Sequence, residues 1–188
     1  MEVEGGRVRF SHPLLSSAIY SGESPERRRN AHQRLAKIIA NGEERARHLA
    51  LSSDGPDQDV AAALGDAALA AAARGGPTAA AELAELAASR TPPDQAQTRW
   101  RRRLDAGAYL FRAGDTARAR SDLEALAEEM PAGIDRARSP LVLATILLQD
   151  AGDPAAVPVL EKALAEAADD ELLRARIHIS IARTAVTT

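Results

Sequence analysis

Apolar residues recur every three or four positions over most of the chain, the period of a helix with one buried face. Glycine-centred breaks at Gly75-Gly76-Pro77, Gly114-Asp115 and Gly152-Asp153 cut this pattern into pairs of helices. The spacing predicts helices over 58–74 and 78–90, 95–112 and 116–130, and 134–149 and 154–168, with 171–186 beginning a fourth pair. Pro140 moves the expected start of its helix toward Ser139, and Pro158 is expected to kink the next. The hinge glycines Gly75, Gly114 and Gly152 lie 39 and 38 residues apart, a period that marks a helical-hairpin solenoid. The clearest hairpin is 104–131. The last helix lacks a partner, so Leu172, Leu173, Ile177 and Ile181 are expected to be exposed and to support homodimerisation.

The first ten residues follow a different period. Val3, Val8 and Phe10 alternate with charged residues around Gly5-Gly6, which predicts a small β-hairpin and is the chain's one clear strand signal. Ser11-His12-Pro13 starts a helix carrying Leu14, Leu15, Ala18 and Ile19, which ends near Ser21-Gly22. Ser24-Pro25-Glu26 starts the next, which runs to about Ala40 and is expected to bury Ala31, Leu35, Ile38 and Ile39. A third covers 43–51, and the turn-rich segment 52–56 is the expected boundary. The fold class is therefore all-α. A first region, 1–52, precedes about three and a half helical repeats over 57–188.

Composition refines this picture. Apolar residues make up 45% of the chain but aromatics only 3%, so the core is built from Ala and Leu and favours closely approaching helices. There is no cysteine, which excludes disulfides and thiolate metal sites. The net charge of −3 lacks the basic excess of an autonomous nucleic-acid binder. Arg27-Arg28-Arg29 reads as a solvated helix face. No apolar run is long enough to span a bilayer, and Met1 is followed by Glu-Val-Glu, not a secretory signal, so a cytoplasmic location is expected.

Little in the chain suggests catalysis. Glu128-Glu129 and Asp169-Asp170 are adjacent, so each pair diverges on a helix instead of converging on one bond. His32, His48 and His178 have no metal-ligand spacing and are read as structural or exposed. No nucleophile string and no phosphate-binding G-x-x-x-x-G-K-[ST] motif occurs. One stripe has binding chemistry: Arg99, Arg102, Arg103 and Tyr109, read as opposite Trp100, Leu104, Ala108 and Phe111. It fits either a groove for an acidic partner or a solvated face balancing nearby acids. Trp100 and Phe111 are expected in the core.

The second hairpin resembles a tetratricopeptide repeat. Gly107 stands where the first helix must be small, Gly114-Asp115 at the turn, Ala119 and Leu123 on the second helix and Pro131 after it. Gly75, Ala80 and Pro92 repeat those offsets, and Leu160-Glu161-Lys162-Ala163-Leu164 is similar to a second-helix string. The period exceeds the usual 34, and Trp100 is out of register with the family's tryptophan.

The N-terminal part resembles the end of the winged helix in large ATP-binding LuxR-type regulators, of the signal-transduction ATPase class. The residues are Arg9-Phe10-Ser11-His12-Pro13-Leu14-Leu15, Ser17 to Tyr20, Arg28, Ala31-His32 and Leu35-Ala36, followed by Arg45 to Ala50 leading into the repeats. The resemblance implies an interior fragment, with an ATPase module before it and a helix-turn-helix after it. It implies that His12 senses the β-phosphate of ADP in the parent, although Pro13 replaces the aspartate of the family's Met-His-Asp motif. It further implies a non-catalytic module that binds a protein or small-molecule inducer on the concave repeat face and signals to the parent's ATPase. ATP or ADP belongs to that parent; the chain itself is expected to hold no cofactor and to touch no nucleic acid or membrane. The alternative is an interaction scaffold of helical repeats without a switch.

Overall fold

The computed structural model describes residues 2–4, 7–9, 13–149, 156–168 and 170–186. The chain is all-helical in class and divides into two compact units, Met1–Asp54 and Gly55–Thr188.

In the first unit, β1 (Glu2–Glu4) and β2 (Arg7–Arg9) pair antiparallel with Val3 opposite Val8. Gly5 and Gly6 between them, and Phe10, Ser11 and His12 after them, lie outside the described residues. Three helices follow: α1 (Pro13–Gly22), α2 (Pro25–Ile38) and α3 (Gly42–Ser52). Ser24 caps α2 by accepting from the Arg27 amide, and Pro25 occupies the first turn, where no amide donor is needed. Asn41 caps α3, accepting from the amides of Glu43 and Glu44 at 3.0 and 3.1 Å. The buried face of α2 differs from the expected one. His32 and Ala36 are buried, while Ala31 and Leu35 are exposed and Ile38 is 77% exposed. Helix α2 packs on α3, whose buried residues are Ala46 and Ala50. Small side chains on both helices allow close approach, and this turns the larger Leu35 and Ile38 outward.

The second unit comprises α4 (Gln58–Ala73), α5 (Pro77–Arg90), a 3-10 turn (Pro93–Gln95), α6 (Ala96–Arg112), α7 (Thr116–Glu129), α8 (Ile134–Gln149), α9 (Ala156–Glu166) and α10 (Glu171–Val186). Each helix packs against the next, and α6 also meets α8, as α8 meets α10. The two described hinges share one geometry. Gly75 and Gly114 take φ of 78° and 87°, and the amides of Gly76 and Asp115 reach back to the carbonyls of Ala71 and Leu110 at 2.9 and 3.0 Å. That left-handed turn with its six-to-one bond closes a helix and reverses the chain, and it favours glycine because a Cβ is strained there. The Gly152-Asp153 hinge lies outside the described residues.

Alanine, leucine and one glycine set the core spacing. Leu64, Leu83, Leu123, Leu126, Leu147 and Leu160 are fully buried among Ala61, Ala80, Ala87 and Ala119. At Gly107 on α6, an added Cβ would lie 2.8 Å from Leu123 of α7, below real van der Waals contact. Polar joints fix the following helices. Buried Ser139 of α8 donates to the Leu123 carbonyl at 3.0 Å, and Arg136 grips Glu166 of α9 through two nitrogens at 2.6 and 2.5 Å. The Arg136 hydrogen bond, ahead of its charge, holds the Glu166 carboxyl below its ordinary range.

Two expectations are corrected here. Helix α8 begins at Ile134 and runs through Pro140. The proline removes one backbone bond, but Ala137, Ser139, Leu143 and Ala144 on the same helix are buried, so packing keeps the helix continuous. The apolar stripe of α10 is mostly covered: Leu173 is 5% and Ile177 0% exposed, packed with Ala144, Leu160 and Ala163 from α8 and α9. Ile181 is half-buried against the same cluster. A terminal helix can still lay its stripe on the preceding hairpin, so Leu172 and Ile179 are left as its exposed large apolar residues.

Candidate ligand-binding groove

A cavity of about 790 Å³ lies along α6, α8 and α10 of the second unit. Each helix contributes residues at helical spacing. From α6 come Arg101, Leu104, Asp105, Ala108, Phe111 and Arg112; from α8 Arg138, Leu141, Val142 and Thr145; from α10 Leu172, Leu173 and Arg176, with Asp170 just before it. Positions i, i+3, i+4 and i+7 form one face of a helix, so α6 and α8 present equivalent faces to a shared groove. The size is that of a small-molecule site.

The groove is apolar with a cationic rim. Four guanidiniums stand around it against two carboxylates. One of these, Asp170, caps α10 by accepting from the Leu173 amide at 2.9 Å. The other, Asp105, is driven by burial toward a higher pKa, so its charged form is disfavoured.

The four residues singled out on α6 do not share one groove. Arg102 and Tyr109 line a smaller cavity of about 250 Å³ with Gly65, Asp66 and Leu69 of α4. Arg102 also donates to the Thr91 hydroxyl, and its guanidinium is pushed to a lower pKa by burial, with Asp66 opposing. Burial raises the Tyr109 pKa, with Asp105 adding to the rise. Arg99 and Arg103 face the other way, into a cavity bounded by Glu85, Arg118 and Asp122 of α5 and α7. Arg103 pairs with Glu129, and its hydrogen bond keeps that carboxyl below its ordinary range. At about 100° of rotation per residue, the mean direction of Arg99 and Arg103 is nearly opposite to that of Arg101, Leu104 and Ala108. Of the two residues expected in the core, Phe111 is half-buried at the groove wall, and Trp100, also half-buried, does not line it. His12 lies outside the described residues.

Sequence reasoning missed a second cluster, in the first unit. His32 of α2 and His48 of α3 meet Nδ1 to Nδ1 at 2.8 Å, with rings stacked 5.0 Å apart, and Nε2 of His32 meets the Tyr20 hydroxyl of α1 at 2.9 Å. One imidazole must donate through its Nδ1–H while the other accepts, so the joint cannot hold a proton on both facing nitrogens. Burial first, and His48 second, lower the His32 pKa. Arg28 stands over the Tyr20 ring at 5.3 Å. The sixteen-residue separation crosses a helix boundary, and only the packing of α2 on α3 brings the pair together.

Among the described residues, no group of three or more His, Asp or Glu side chains is placed to hold a metal ion, and no helix is long and apolar enough to cross a membrane. No protein-family model, curated protein or solved structure matches the chain.

Proposed function

We propose that the chain is a non-catalytic effector-binding module of a LuxR-type transcriptional regulator, cytoplasmic and interior to a longer protein. The observation that carries the binding role is the groove along α6, α8 and α10, where successive first helices of the hairpins present equivalent faces to one apolar, cation-rimmed space. In this reading the second unit is a tetratricopeptide-like solenoid and the groove is its concave side. An inducer that binds one arrangement of the repeats better than another shifts the equilibrium toward it. The first unit, read as the end of a winged helix with its β-hairpin, passes that bias to an ATPase module outside the chain. There His12 would contact ADP, and control of DNA binding would follow in a further domain. The resemblance of residues 9–50 to such regulators supports the transmission role.

The gene flanking this chain tests the reading. A G-x-x-x-x-G-K-[ST] motif upstream and a helix-turn-helix downstream are expected. A flanking sequence with neither contradicts the regulator reading and leaves an interaction scaffold without a switch.

A further inference from the structure

The groove has more specific chemistry than a general binding face. Its walls are aliphatic: Leu104 on α6, Leu141 and Val142 on α8, and Leu172 on α10, with Phe111 the one aromatic side chain among the described residues that line it. Such walls suit a flexible hydrocarbon better than a flat ring system, which would call for stacking partners. Its rim is unbalanced in charge. Asp170 is committed to the α10 cap, and four guanidiniums, which stay charged at any working pH, outnumber the two carboxylates. Arg101 and Arg138 already interact with other groups of the protein. Arg112, in the last turn of α6, and Arg176, on α10, are the two cations on which the assignment rests. An occupant must therefore be mostly hydrocarbon and carry an anionic head group. Its volume must suit a space of about 790 Å³, too small for a protein domain and ample for a long-chain amphiphile.

We infer that the groove lined by α6, α8 and α10 binds a small amphipathic anion, a long-chain carboxylate or its acyl analogue, with the chain along Leu104, Leu141 and Val142 and the head group on Arg112 and Arg176. Guanidinium favours a carboxylate through paired N–H donors, and the low-dielectric walls strengthen that bond. A cation of the same chain length meets the same hydrocarbon walls but a repulsive rim. This assignment rests on the reading of the groove as the module's binding face.

Calorimetric titration of the full chain with dodecanoate and with dodecyltrimethylammonium, both below their micelle concentrations, separates the possibilities. The expected result is saturable one-to-one binding of dodecanoate, at least about tenfold tighter than the ammonium amphiphile. Arg112→Gln and Arg176→Gln are both exposed changes, and each should weaken dodecanoate while binding of the ammonium compound holds or strengthens as the rim's repulsion is eased. Val142→Glu, which places a carboxylate on the wall, should abolish dodecanoate binding while the helical circular dichroism stays native. Equal binding of the two amphiphiles, or dodecanoate binding indifferent to all three substitutions, overturns the anionic assignment. If neither amphiphile binds, the ligand class is overturned. Because the regulator reading is tested by the flanking gene, its failure is distinguishable from that of the ligand class.

Discussion

The two units are held together by different chemistry. In the second, α4 to α10 are joined chiefly by shape, through buried Ala and Leu, a glycine that admits Leu123 and turns that repeat their bonding at Gly75 and Gly114, with Arg136–Glu166 and Ser139 as polar joints. In the first, α2 and α3 share small buried residues, but the contact linking all three helices is the polar chain Tyr20–His32–His48. Hydrocarbon packing is indifferent to pH, whereas an imidazole pair sharing one proton is not. The packed helices of the second unit present a binding groove, and the imidazole pair gives the first unit a sensitivity to mild acid that hydrocarbon packing lacks.

The largest way to break this contrast is at the α6–α7 contact. Gly107→Ala should destabilise the second unit by about 2 kcal/mol, because the new methyl collides with Leu123. In a Leu123→Ala background, itself costing about 3 kcal/mol, the glycine substitution should cost almost nothing. Urea unfolding followed by the emission of Trp100, the one tryptophan, reads the second unit alone. Additive costs would contradict the steric account.

A smaller effect is expected at the α7–α8 joint. Ser139→Ala removes a buried donor from the Leu123 carbonyl and should cost about 1 kcal/mol in the same assay. An unchanged midpoint would mean that the bond adds nothing. The smallest change is favourable. Ala168, between α9 and α10, takes a φ of 44°, in the left-handed region. Ala168→Gly should stabilise the second unit by about 0.5 kcal/mol, since relief of Cβ strain exceeds the entropy cost of glycine. A lowered midpoint would contradict this.

Much of the fold was legible because turn chemistry and helical period agree. The described glycine hinges and the Ser24-Pro25-Glu26 start signal mark helix ends within a residue or two of those observed. The long helix over Ile134–Gln149 was harder to delimit, because a proline's local cost can be outweighed by burial of the surrounding face. The groove was less legible than the helices. A stripe of arginines on one helix does not reveal which neighbour each one faces, and α6 has neighbours on three sides, namely α5, α7 and α8. Its apolar face reads as core by periodicity alone, yet part of it lines an open cavity. The His32–His48 contact leaves no local signature, since neither spacing nor flanking residues announce it.

The central claim is that the first unit loses stability in mild acid, near the ordinary histidine pKa, while the second holds. His32 has a folded pKa lowered below its ordinary value near 6.5, so its contribution to stability is fully present above that value. It is lost as pH falls below 6.5, because the unfolded state then binds the proton more readily. Hydrogen exchange, corrected for intrinsic rates, measured at about pH 7.5 and about pH 5.5 tests this most directly. Protection of peptides from α2 and α3 should fall on acidification while that of α4 to α7 holds, and His32→Gln should remove the difference. A parallel loss of protection in both units, or a fall in α2 and α3 that persists in His32→Gln, would contradict the claim.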